Sequence, residues 1–185
     1  QQKTQEMNEF LTRRNIDAFC EVDLVTNIPS GIITVAQANG IAGLQSNTIM
    51  LGWPSATQFP LNAAALMRTL DQLGKSVLVA RLKGFQNNES RSIDIWWSGT
   101  QENGDLMLLL SHLLVQSQRW RRAQIRLKTI VSDSSEIGKR QAALLRICRD
   151  TRISAEPIVL KQEEGQSVQE LIRQESSMTD LVLMG

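Results

Sequence analysis

The chain has 185 residues, a net charge of +1, 42% hydrophobic residues and 21% charged ones. That balance excludes a disordered chain and leaves room for one good core or two small lobes. Near-neutral charge gives no global pull toward nucleic acid or anionic lipid. The two cysteines, Cys20 and Cys148, are too few for a disulfide framework and favour a reduced, cytosolic setting. No segment is long enough to cross a bilayer: the longest apolar run, residues 106–115, is interrupted by Ser111 and His112 and covers about half of the ~20 residues needed. The N-terminus lacks the apolar stretch of a signal peptide. The sequence opens inside a helical pattern and stops on a strand, as a fragment cut from a longer chain would.

In chain order, residues 3–15 place Met7, Phe10 and Leu11 on one helical face. Residues 18–26 read as a strand, and Asn27-Ile28-Pro29-Ser30 as a turn with proline placed for a helix start. A helix over 31–42, a short strand over 47–52 and a break at Trp53-Pro54-Ser55 follow. Leu66, Leu70 and Leu73 mark a helix over 61–73 that Gly74 closes. Residues 76–82 form a strand and the polar stretch 84–90 a loop.

The stretch 92–131 is the most informative part of the chain. It predicts a buried strand over 93–97, a polar turn, and a helix over 105–118. Leu106, Leu109, Leu110, Leu113 and Leu114 lie in helical register there. A basic hinge and a second strand over 123–131 complete a strand–helix–strand unit. Ser132-Asp133-Ser134-Ser135 supplies caps for a helix over 136–150. A strand over 155–160, a helix over 167–176 and a strand over 181–184 end the chain. Strands alternating with helices predict an α/β fold with a mostly parallel sheet flanked by helices.

A weak internal repeat runs through this layout. Arg14-Asn15-Ile16-Asp17-Ala18 leads through a strand and a helix to T-I-M-L-G at 48–52, and Arg152-Ile153-Ser154-Ala155 leads likewise to D-L-V-L-M-G at 180–185. Two lobes are therefore expected, 1–74 and 75–185, related by a pseudo-twofold. By this register the first lobe lacks its N-terminal strand.

Few residues invite chemistry. His112, the only histidine, lies among leucines with no second ligand at metal-binding spacing, and is read as structural or surface. Cys20 and Cys148 have no neighbouring base or cation that would make a nucleophile, and read as buried free thiols. Gly40-Ile41-Ala42-Gly43 follows a helix and precedes a strand, the reverse of a phosphate-cradling turn. Arg119-Trp120-Arg121-Arg122 with Arg126 and Lys128 is a basic cluster around an aromatic. It could meet an anionic headgroup, but reads first as a helix C-terminus offset by cations, with Trp120 at the core edge. Trp96 and Trp97 are adjacent on a strand, so their rings point to opposite, helix-covered faces. Asp17, Glu21, Asp23 and Asp133 have no partner in view that would make a catalytic pair. No catalytic, cofactor-binding or metal-binding residue is assigned.

Two motifs carry a family resemblance. The I-D-I-W-W strand ending in Trp96-Trp97, G-D-L-M-L-L-L from Gly104 and R-W-R-R-A-Q-I-R-L from Arg119 resemble the cytosolic C-terminal domain of cation–chloride cotransporters. There an I-D-x-W-W strand precedes a G-x-L-x-L-L helix, a W-R-K/R hinge and a strand. Gly40–Pro54 is similar to that family's G-L-G-G-M-x-P-N-x-x-x-L-G-W-P, departing at Ala42 and Ser46. The resemblance covers 16–185 and implies two lobes similar to universal stress proteins. It also implies homodimerisation and coupling to the protein's own transmembrane transport domain. Ion symport (sodium, potassium, chloride) would belong to that membrane part, on the cytoplasmic face of which this piece would sit. Relatives with long phosphorylated insertions would carry them where this chain has only the 84–90 loop. The rival is a stand-alone nucleotide-binding protein of the universal stress type. Thr179–Gly185 resembles the strand before the ATP loop in those proteins, which leaves ATP open as a ligand. At Gly52 the equivalent position continues W-P-S-A-T, without such a loop.

Overall fold

The computed structural model describes residues 2–38, 40–41, 44–53, 63–82, 91–98 and 103–185. The expected loop at 84–90, the break after Trp53, Gly43 of the glycine turn and most of the polar turn after Trp97 lie outside these. Two compact units are present, Gln1–Gly84 and Phe85–Gly185. The division falls later than the expected boundary after Gly74, because strand 76–80 pairs within the first unit.

The first unit contains α1 (Gln2–Arg13), α2 (Ile28–Ala38), β1 (Gly40–Ile41), β2 (Leu44–Gln45), β3 (Thr48–Gly52), α3 (Ala63–Gln72) and β4 (Ser76–Ala80). Asn27 caps α2, its Oδ1 accepting from the Ser30 N–H at 3.2 Å. α2 stops at Ala38, short of the expected Ala42, since the chain turns there into the small antiparallel β1–β2 pair. β3 and β4 run parallel, Thr48 opposite Ser76 and Gly52 opposite Ala80. The strand expected over 18–26 does not form. Its apolar side chains are laid out for a sheet, but among the described residues no strand pairs with it. A strand needs that neighbour to engage its N–H and C=O groups. Phe19 is 96% exposed and Leu24 wholly so.

The second unit contains β5 (Ser92–Trp96), α4 (Gly104–Gln116), β6 (Gln124–Val131), α5 (Ile137–Thr151), β7 (Ala155–Lys161), α6 (Val168–Glu175) and β8 (Leu181–Met184). Its sheet has the order β7-β6-β5-β8 with every pair parallel. The chain steps outward from β5 to β7, then returns to the other side of β5 as β8. That reversal is the switch of a doubly wound fold, and β5 is buried on both faces. Ile93, Ile95, Ile125 and Leu127 turn to one face and pack with Met107 and Leu108 of α4 and Leu144 of α5. Asp94, Trp96, Arg126 and Lys128 turn to the other, as the two-residue period of a strand requires. Trp96 is buried there, while Trp97 is partly buried against the first face.

α4 sits in a different rotation from the one its leucines suggest. The buried residues are Gly104, Met107, Leu108 and Ser111, and Leu109 and Leu113 are more than half exposed. Leucines spread over a broad arc of α4, opposite a narrow stripe of Asp105, His112 and Gln116, so they alone do not fix its rotation. Gly104 does: a Cβ built there would land on the Trp97 ring. Alanine is the better helix former by about 1 kcal/mol. Overpacking costs about 1–3 kcal/mol. Gly104→Ala is therefore expected to lower the urea midpoint of unfolding despite that propensity, and an unchanged or raised midpoint would refute the contact.

Candidate functional site

An acid in the middle of an apolar strand has to find partners. Asp94 is wholly buried at the centre of β5. Its neighbour in the β5–β6 register is Arg126, whose Nε donates to Asp94 Oδ1 at 2.6 Å. Two residues further along β6, Lys128 Nζ lies 3.0 Å from Oδ2. The turn between α6 and β8 closes the site. Ser176 Oγ donates to Oδ2 at 2.6 Å and Thr179 Oγ1 at 2.8 Å. Arg126 also donates to Thr179 Oγ1 at 2.8 Å, and Trp96 Nε1 donates to Ser176 Oγ at 3.0 Å.

Lys128 is as buried as the acid it faces, at 2% exposure. It donates to the Glu175 carbonyl at 2.9 Å, has the Glu175 carboxylate at 3.7 Å, and lies 5.4 Å from the centre of the Trp96 ring. Carbonyl, carboxylates and aromatic face together replace the water an ammonium loses on burial. Burial pushes the Asp94 carboxyl upward. Hydrogen bonds from Ser176, Thr179 and Lys128, with the charge of Lys128, outweigh that and hold it below the usual carboxylate value of 3.8. Both Asp94 oxygens are engaged, so the group is arranged to hold strands rather than to move a proton.

A capping box fixes the element that brings Ser176 and Thr179 in. Ser167 Oγ accepts from the Glu170 N–H at 3.2 Å, and Glu170 Oε2 accepts from the Ser167 N–H at 3.1 Å. Asp180 anchors the entry to β8, its Oδ2 accepting from the Ser92 N–H at 2.9 Å.

The residues singled out from sequence scatter. Arg126 and Lys128 turn inward to Asp94, so the basic cluster divides, and Arg119, Arg121 and Arg122 stay exposed in the turn after α4. Trp120 is buried in the core cluster under the Arg91 guanidinium, 4.8 Å from its ring. His112 is exposed on α4. Cys20 and Cys148 are free and half-buried, and burial pushes the Cys148 thiol above its ordinary value, away from the thiolate a nucleophile needs. Asp17, Glu21 and Asp23 are exposed in the unpaired segment. The Asp133 carboxylate accepts from the Ser135 N–H, which lowers its pKa and caps the short turn before α5. Among the described residues no cluster of three His, Cys, Asp or Glu could hold a metal ion.

A family model described as Solute carrier family 12 matches residues 55–178, more than half the chain. The chain belongs to solute carrier family 12. The match takes in α3, β4 and the second unit as far as the turn after α6, and includes Asp94, Arg126, Lys128 and Ser176. A role tied to cation–chloride cotransport follows from that membership, and the family is one of transporters rather than enzymes. The universal-stress rival gains no support.

Removing one partner from a buried ion pair leaves the other charge uncompensated, at a cost of about 3–5 kcal/mol. Asp94→Asn should destabilise the protein by that order at pH 7. Because the folded-state pKa is depressed, the Asp94 contribution is complete well above 3.8 and disappears as pH falls through the lower folded value. Urea unfolding from pH 7 down to about pH 2 should show the Asn variant losing less stability than the parent as the acid limb is crossed. Parallel curves would contradict the site.

Proposed function

We propose that this chain is the cytosolic C-terminal domain of a prokaryotic-type cation–chloride symporter, pairing two copies of the transporter and coupling its own state to the transport domain. The observation that carries the reading is the family match over 55–178 laid on a parallel α/β scaffold. The motif residues of the resemblance occupy coherent places in that scaffold. Trp96-Trp97 end the central strand, Gly104 opens α4 against Trp97, and Arg119–Arg122 form the hinge before β6. Among the described residues no helix is long and apolar enough to cross a membrane, so ion-coordinating residues are to be sought in another part of the parent protein.

Matching helix ends support two related lobes. Asn15 and Arg152, the non-glycine residues with positive φ among the described residues, occupy corresponding places in the sequence repeat. The Ile16 N–H reaches the Leu11 carbonyl at 3.0 Å, and the Ile153 N–H reaches that of Cys148 at 3.2 Å. Both are the six-to-one closure of a Schellman cap, which sends the chain from a helix into an extended segment. The cap recurs at Gly74 before β4, so it supports the lobe relation without being unique to it.

Twofold pairing is the commonest closed assembly of identical chains. Two transport domains held in one bilayer raise the effective concentration of the parts attached to them, so a modest interface suffices in the parent. Sedimentation equilibrium of the isolated chain should therefore show a concentration-dependent monomer–dimer equilibrium toward about millimolar protein, where interfaces worth about 4 kcal/mol begin to populate. The parent gene should encode membrane spans upstream and give chloride-dependent cation uptake that changes when this domain is deleted. A gene without spans, or uptake indifferent to the deletion, would refute the reading.

A further inference from the structure

One side of α4 alone rests on the sheet, and the other carries exposed leucines beside Asp105, His112 and Gln116. Leu109 and Leu113, one turn apart, are 53% and 56% exposed, with Leu106 and Leu110 half-buried beside them. The charge of the following chain is equally one-sided. From Leu106 to Ser132 there is no carboxylate, although the chain carries 19 acidic residues. Of the cations in that stretch, Arg126 and Lys128 are taken up by Asp94, and Arg121 and Arg122 are exposed in the turn after α4.

The arginine turn is held at the end of α4. The Ser117 N–H bonds the Leu114 carbonyl at 2.9 Å, the Trp120 N–H that of Ser117 at 3.1 Å, and the Ala123 N–H that of Trp120 at 2.8 Å. Buried Trp120 anchors the turn from within. Cations at a helix C-terminus offset its dipole, but that accounts for none of the exposed leucines.

We propose that the exposed face of α4 and the arginine turn after it dock on an anionic membrane leaflet. Leucines entering the headgroup–acyl boundary and guanidiniums meeting phosphates are the two halves of interfacial binding. A second copy of the chain is a poorer occupant. Two exposed and two half-buried leucines offer far less than the roughly 800 Å² per partner of a standard interface, and self-pairing would bring two arginine turns to one surface. The proposal rests on the reading above, in which the parent holds this domain beside a bilayer and a weak, shallow contact is enough.

The test is co-sedimentation of the 185-residue chain with vesicles. Binding is expected to phosphatidylcholine vesicles containing about 30% phosphatidylserine, with little to phosphatidylcholine alone, and weaker binding in high salt. Arg121→Gln with Arg122→Gln should lower the partition coefficient about 30-fold. Leu109→Ser with Leu113→Ser should also release the protein, while circular dichroism shows both pairs folded. The inference is overturned by absence of binding at low salt, or by binding that neither pair reduces. It is equally overturned if the leucine pair abolishes self-association in lipid-free buffer while leaving vesicle binding intact, which would make this face a subunit interface. A parent gene without membrane spans would defeat the transporter reading but would not alter these partition coefficients, so the two failures are separable.

Discussion

The second unit depends on one buried carboxylate. Asp94 sits where β5 is covered on both sides, and its donors come from β6 and from the turn into β8. Replacing the whole buried group of Asp94, Arg126 and Lys128 by apolar residues would cost little, since buried ion pairs often contribute no more stability than a hydrophobic replacement. Losing Asp94 alone, by contrast, strands Lys128. What the charge adds is discrimination. Slipping β6 by one residue would turn Arg126 and Lys128 into the apolar face against α4 and α5, and Asp94 would lose both cations at once. Docking α6 in another register would strand Asp94 without Ser176 and Thr179. One acid therefore ties strand order, strand register and helix placement together.

Much of this was legible in the sequence, and what was not has physical reasons. The strand–helix–strand unit at 92–131 reads correctly because β-branched and aromatic residues alternate along its strands and its helix begins at Gly104-Asp105. The start of α5 reads well because Asp133 caps the short turn that leads into it, and α6 begins where Ser167 caps it. The rotation of α4 did not, because leucines spread over so broad an arc carry little phase information. Only the demand of the Trp97 ring for a residue without a Cβ supplies it. The Asp94 site was missed although its signal was present. A lone acid in I-D-I-W-W and cations two apart in I-R-L-K-T predict a same-face pairing on adjacent parallel strands. Reading Arg126 and Lys128 together with Arg119–Arg122 as one basic cluster concealed it.

Residues 18–26 show the complementary failure. Their composition is that of a strand, and propensity alone predicts one correctly as a preference. Backbone pairing is a property of two segments, however, and preference in one does not create the other. The same holds for the two-residue strands after α2, which arise because the chain folds back on itself within a few residues.

The two faces of the second sheet serve different ends. Against α4 and α5 the contacts are apolar and shape-dependent, with Gly104 under Trp97 setting how closely helix meets strand. On the other face, directed bonds fix the α6–β8 turn to β5 and β6, with both Asp94 oxygens engaged. A network so filled has no second arrangement of similar energy, because any displacement of the turn exposes an unpaired charge in a buried site. Conformational change in such a body proceeds by moving the whole unit against a neighbour rather than by repacking its interior. Surfaces that make contact therefore matter more than internal switches. For this unit the surface least explained by its own fold is the leucine and arginine edge of α4.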